Sequence, residues 1–171
     1  MADVLTGPFA VAAIVVAVAG IAKLRAPAVA TAALSELGLA RVAWIARLLG
    51  AAELALAAWC LIAPASPSAA ALGCCYVAFA IASLALARRR AACGCFGEHE
   101  QPASLGQSAI SGALSAVCFA AAAVTPHDAG WVLSRPAGQA AVLILGIAGC
   151  AYALVLAYTQ LPAAWGAWSA R

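Results

Sequence analysis

The sequence predicts an all-α integral membrane protein, a helical bundle of about five transmembrane helices with a short interfacial helix after the first. Three observations carry this. Of the 171 residues, 67% are hydrophobic and 9% are charged, and the mean hydropathy is +1.03. A soluble domain carries roughly a quarter charged residues, so this chain cannot clothe a water-facing surface. Apolar runs near the length a bilayer demands, about 20 residues, recur five times, each stopped by proline or by basic residues. Finally, the basic residues collect on one side of the topology those runs imply.

The first run covers about residues 4–22 and stops at Lys23 and Arg25. The stretch "RAPAVATAALSELGLAR" follows, with Pro27 suited to a first helical turn and Gly38 to a C-terminal cap. It is expected to lie on the membrane as an interfacial helix. The second run, about 42–63, stops at Pro64, and the third, about 69–87, stops at Arg88-Arg89-Arg90. The fourth, about 105–125, opens with Ser104 and Gln107 at capping-box spacing and ends at Pro126. The fifth, about 138–159, precedes Pro162 and lies among Tyr152, Tyr158, Trp165 and Trp168, read as an aromatic belt at the interface. Ala and Gly throughout suit close helix packing in lipid. Residues 1–171 are expected to form a single membrane domain. Met1-Ala2-Asp3 lacks the positive charge that opens a secretory signal, so the first run is expected to be retained.

Lys23, Arg25, Arg41 and Arg47 flank the first connection, Arg88 to Arg90 follow the third run, and Arg171 ends the sequence. The other side carries Arg135 alone. By the positive-inside rule the N-terminus is outside, and the C-terminus and the loop after the third run are cytoplasmic. The location expected is the plasma membrane, as a multi-pass protein embedded in the lipid bilayer. A net charge of +3 then sets orientation. With no basic patch interleaved with aromatics and no glycine-rich phosphate loop, nucleic acid is not an expected partner.

The sharpest chemical feature is "RRRAACGCFGEHE", residues 88–100. Cys93 and Cys95 flank Gly94. A disulfide needs its alpha carbons within about 7 Å, and Gly94 frees the backbone to turn that tightly. So small a ring is strained, and strained disulfides exchange readily. Arginines upstream and a helix N-terminus downstream favour the thiolate, while Glu98 and Glu100 partly oppose them. The alternative is a soft metal site, copper or zinc, on Cys93, Cys95 and His99, short of the four ligands of structural zinc. A third alternative leaves the cysteines idle in a non-catalytic scaffold for a redox enzyme. His127, in "TPHDAGW", reads as a polar loop residue.

Glu53 falls mid-membrane, where an ionisable group costs several kcal/mol unless paired, protonated or hydrated. It reads either as a proton site or anchor for a quinone head group, or as a polar tie between helices, with Lys23 or Arg47 as partner. Arg47 is near enough to the surface to snorkel, and Lys23 reads as a boundary charge within reach of a helix interface. Cys60 and Cys74 stand six residues before and eight after Ser66. In a hairpin both lie roughly 10 Å from the outer end at 1.5 Å per residue. They read as a possible second thiol pair, or as small hydrophobes. Cys75 points about a hundred degrees from Cys74, so at most one of the two faces Cys60.

"GIAKLRAP", "RLLGAAELALAAWCL" and "RRRAACGCFG" together resemble the methylamine-utilisation protein MauE family, related to the DoxX-like membrane proteins. The resemblance runs from about residue 8 to about residue 125. It implies thiol–disulfide chemistry on exported proteins, with a thioredoxin-like protein as partner, as when disulfides of methylamine dehydrogenase are made or corrected. It carries over Cys93 and Cys95 as the redox pair of a thiol–disulfide oxidoreductase, with Gly94, Phe96 and Gly97 shaping the loop. Glu53 and Lys23 match the family's polar membrane positions. A cytoplasmic pair would import reducing equivalents from a cytoplasmic dithiol donor, with Glu53 moving the accompanying protons.

Overall fold

The computed structural model describes residues 1–39, 42–94 and 103–169, with side chains described to residue 160. It is all-helical, with no strand among the described residues: α1 Ala2–Arg25, α2 Pro27–Glu36, α3 Ala43–Ile62, α4 Ser66–Arg89, α5 Leu105–Val124, α6 Ala129–Leu133 and α7 Ala137–Ser169. Five helices are long and apolar enough to cross a membrane: α1, α3, α4, α5 and residues Ala137–Gln160 of α7. They alternate in direction. The α1–α3 and α4–α5 connections therefore share one end of the bundle, and the α3–α4 and α5–α7 connections share the other.

Local chemistry explains where the helices begin and end. α2 starts on Pro27, as the sequence implies, and Gly38 follows it with φ +83°. α4 starts earlier than hydropathy alone suggests. Pro67 stands in its first turn, where a missing N–H costs nothing, and the Ser68 hydroxyl accepts from Ala65 N at 2.9 Å. It closes at Arg90 in the left-handed region, φ 54°, with Arg90 N donating to Ala87 O and Ala91 N to Leu86 O. This is the paired bonding of a Schellman ending. The expected capping box of α5 is present: Ser104 Oγ accepts from Gln107 N at 3.3 Å, and Ser104 N donates to Gln107 Oε1 at 3.0 Å.

Two further features differ from the sequence expectation. α7 continues through Pro162 to Ser169. Proline removes one donor from the helical ladder, and the helix resumes beyond it. The outer loop also holds α6, whose start is capped by Asp128 Oδ1 accepting from Trp131 N at 2.8 Å.

α1 is the central helix, touching α2, α3, α5 and α7. Its buried Phe9, Ala12, Val15 and Val16 form the core with Cys60, Leu72, Tyr76 and Cys118. Two glycines set its crossing with α3. A methyl at Gly20 would stand 2.7 Å from Gly50 O, and a methyl at Gly50 would stand 2.7 Å from Gly20 O. On the other side, α4 and α5 lock through small polar groups. Ser115 Oγ donates to Gly73 O at 3.1 Å, Ser108 Oγ donates to Ala80 O at 2.8 Å, and the Phe119 ring fills the space beside Gly73.

Replacing Gly20 or Gly50 with Ala should push α1 from α3 and destabilise the bundle by about 1–3 kcal/mol, the usual cost of overpacking. Gly146→Ala is the control, since its added methyl meets nothing within 4 Å. Thermal unfolding in detergent micelles should show lower midpoints for the first two and none for the third.

Candidate functional site

One turn beyond the crossing glycines, each helix carries a charge. Lys23 Nζ donates to Glu53 Oε2 at 2.8 Å, with the side chains 4% and 2% exposed. Lys23 also stands over the Phe79 ring, 5.1 Å from its centroid. Of the two partners the sequence offers Glu53, the structure places Lys23 against it, and Arg47 is exposed. Lys23 is thus an interior residue and not a boundary charge. Glu53 Oε1 is buried and meets no hydrogen-bond donor among the described residues. In a helix core this carboxylate is half satisfied, which fits a group able to accept a further proton or polar contact.

Cys93 and Gly94 lie at the end of the bundle where α4 stops and α5 starts. The loop's base is closed by Ala103 N donating to Ala91 O at 2.8 Å. Cys93 is half-buried and packs with Leu37, Ala87 and Ala91 against buried Ala33, Leu86 and Ala103. Gly94 is buried with φ +65°, and a methyl there would meet Val29 O at 2.9 Å and Ala33 Cβ at 3.0 Å. The loop therefore sits directly on α2, at a point only glycine fits. Arg89 reaches across the same end and donates to Glu36 O, so its guanidinium is engaged in holding α2. Cys95, Phe96, Gly97 and His99, together with Arg41, lie outside the described residues. Among the described residues no group of three His, Cys, Asp or Glu side chains is placed to hold a metal.

Cys93 also borders a narrow interior cavity, with Tyr76, Phe79, Ser83, Ser111 and Tyr158 on its wall. Tyr158 was an interface residue by sequence. It is 6% exposed, and its hydroxyl pairs with Ser111 Oγ at 2.8 Å. Gln107 Nε2 donates to Tyr158 O at 2.7 Å, binding α5 to α7. The available signal was spacing: Ala151 and Tyr158, two turns apart, form the buried side of α7. Tyr76 donates to Ala12 O at 2.7 Å and meets Phe79 edge to face. The cavity and the ion pair thus share Phe79 as a common wall.

The remaining thiols lie within the helices. Cys60 is buried and its Sγ donates to Ser68 O at 3.4 Å, whereas Cys74 is exposed on α4. The thiol that shares the core with Cys60 is Cys118. Cys60 also borders a cavity of about 250 Å³ at the opposite end of the bundle, beside Phe9, Val132 and His127. His127 is more than a loop residue. Its Nε2 bonds Asp3 Oδ1 at 2.9 Å, its N donates to Thr6 Oγ1 at 3.1 Å, and its ring stacks on Trp131.

Compared with known families, residues 2–127 match the model of methylamine utilisation protein MauE. No curated protein and no solved structure gives a significant match. The matched region takes in α1 to α5, and so contains the ion pair and the cysteine loop together.

Removing one member of the ion pair strands the other in a water-poor core, at a cost of about 3–5 kcal/mol. Lys23→Met and Glu53→Leu should each lower the unfolding midpoint sharply, and the double variant should recover much of the loss. A double-mutant cycle on thermal unfolding measures this, and additive losses would refute the coupling.

Proposed function

The chain belongs to the methylamine utilisation protein MauE family, and from that premise we propose that this multi-pass membrane protein exchanges reducing equivalents with a thioredoxin-like partner. The exchange serves disulfide formation or correction in exported proteins, and Cys93 and Cys95 cycle between dithiol and disulfide. The observation that carries this reading is the setting of Cys93-Gly94. Cys93 is followed by a left-handed glycine pressed onto α2, which bends the chain tightly. That bend favours a small, strained ring, and such a ring opens readily in exchange.

A dithiol that becomes a disulfide releases two protons, and an interior site needs groups to carry them. Glu53 is the candidate, because one of its oxygens is bound to Lys23 and the other has no donor among the described residues. Phe79 stands between that pair and the cavity beside Cys93. The proposed orientation keeps the N-terminus outside and the Cys93–Cys95 loop cytoplasmic, in the plasma membrane. Pairing removes Lys23 from the count of surface charges, yet Arg25, Arg41, Arg47, Arg88 to Arg90 and Arg171 still face Arg135 alone. The asymmetry survives.

Replacing either Cys93 or Cys95 with Ser should abolish turnover of a thioredoxin-like substrate by membranes containing the protein. Full activity in both single variants refutes the exchange. Glu53→Gln should keep most of the fold, by retaining a hydrogen bond to Lys23, while slowing turnover at least tenfold. Reporter fusions at the two termini test the orientation, and a cytoplasmic N-terminus overturns it.

A further inference from the structure

We infer that the cavity beside His127 is a binding site for a lipid-soluble phenol, a compact body of one or two rings that carries a hydroxyl. The site lies at the opposite end of the bundle from the cysteine loop and stands independently of the exchange reading. Its body is apolar. Phe9 and Ile14 of α1, Leu61 of α3, Val132 of α6 and Ile147 of α7 wall a space of about 250 Å³. A cavity of about 150 Å³ admits benzene, so this one takes a ring or two fused rings. The Phe9 ring offers an aromatic contact, and a rigid ring loses less freedom on binding than a chain does.

The polar residues of the cavity select the ligand. His127 and Asp128 line it, and they also line an open bowl of about 730 Å³ next to it, with Trp131 and Ser134. The polar edge of the cavity is thus the edge it shares with the bowl. The donors nearby are already used. Thr6 Oγ1 donates to Ala2 O at 2.9 Å, and Cys60 Sγ donates to Ser68 O at 3.4 Å.

What remains at that edge accepts. His127 Nε2 meets Asp3 Oδ1 at 2.9 Å. A carboxylate only accepts, so in the neutral imidazole Nε2 carries the proton and Nδ1 keeps its lone pair. Asp128 Oδ1 accepts from Trp131 N at 2.8 Å, and Oδ2 is a second acceptor. Two acceptors beside an apolar space call for a ligand that donates. An ether or a ketone brings only lone pairs. A phenol brings an O–H that is more acidic than an alkyl hydroxyl, and so a stronger donor. The ring lies inward and the hydroxyl stands at the shared edge, the arrangement of an apolar pocket with a few orienting polar groups.

The test is equilibrium dialysis of radiolabelled 1-naphthol against the full-length protein in detergent, with protein-free micelles as the partition control. Wild type should show saturable binding of about one equivalent per chain, displaced by unlabelled 1-naphthol. 1-Methoxynaphthalene has the same rings and no donor, and should displace the label about fivefold less well, the usual worth of a hydrogen bond. His127→Phe keeps a ring beside Trp131, and Asp128→Asn keeps an acceptor for Trp131 N. Each should weaken 1-naphthol by about fivefold and leave 1-methoxynaphthalene unchanged. Ala10→Phe fills the cavity that Ala10 lines and should remove the saturable binding of both. Unfolding midpoints in the same detergent check that each variant is folded, and the wild-type arms decide without them. Absence of saturable binding in wild type overturns the site. Equal displacement by 1-methoxynaphthalene overturns the recognition of a donor. Displacement by 1-octanol as effective as that by 1-naphthol overturns the ring.

Discussion

The contact on which the bundle depends is the ion pair between Lys23 and Glu53. A lone charge on either helix would be a heavy burden at bilayer depth. At 2.8 Å, each charge is answered only if the two helices approach closely. The crossing at Gly20 and Gly50 provides that approach, and the arrangement is reciprocal. Each glycine stands three residues before the charge on its own helix and against the beta carbon of the charge opposite. A methyl at Gly50 would meet Lys23 Cβ at 3.1 Å, and one at Gly20 would meet Glu53 Cβ at 3.3 Å. Glycine packing and charge pairing act together, since the close approach that the glycines allow brings the two charges within bonding distance. The pair also fixes Phe79 beneath Lys23, and with it the wall of the cavity that Cys93 borders.

Most of the scaffold was legible because long apolar runs have few alternatives. The five spans, the interfacial helix from Pro27 and the capping box at Ser104 all rest on local rules, and locally determined features survive folding. What sequence could not supply was rotation about a helix axis. Counting residues puts Cys60 and Cys74 at similar depth, but depth says nothing of azimuth. The azimuth of α4 is set by its partner α5, through Gly73, Ser115 and Phe119. That packing turns Cys74 outward and keeps Tyr76 inward. Tyr158 was misplaced for the same reason: a tyrosine near a helix end is an interface anchor on one azimuth and a buried hydroxyl on another. The helix α6 escaped notice because five residues carry too little periodicity, and Asp128 was its only clear signal.

Several polar groups of this core lie between the two cavities. At one end Cys93 meets Ser83, Ser111 and Tyr158. Tyr76 follows, bound to Ala12 O beside Phe79, and the charged pair stands behind that ring. Farther along lie Cys118 and Cys60, the latter at the edge of the opposite cavity. Each hydroxyl here has a partner in a medium that offers no water, which is the condition for keeping polar groups at all. A bundle needing only stability would use leucine at such places.

The interfacial helix acquires a meaning from this arrangement that its sequence did not suggest. A helix lying on a membrane needs only one apolar side. α2 instead carries the loop: Val29 O and Ala33 receive Gly94, Ala33 packs in the cluster with Cys93, and Arg89 binds the carbonyl of Glu36. It is joined to α1 through Ala26 alone, three residues after Lys23. A change at the ion pair that shifted the end of α1 would therefore move α2, and with it the surface on which Gly94 rests. The short link ties the end of α1 to the helix on which Gly94 rests.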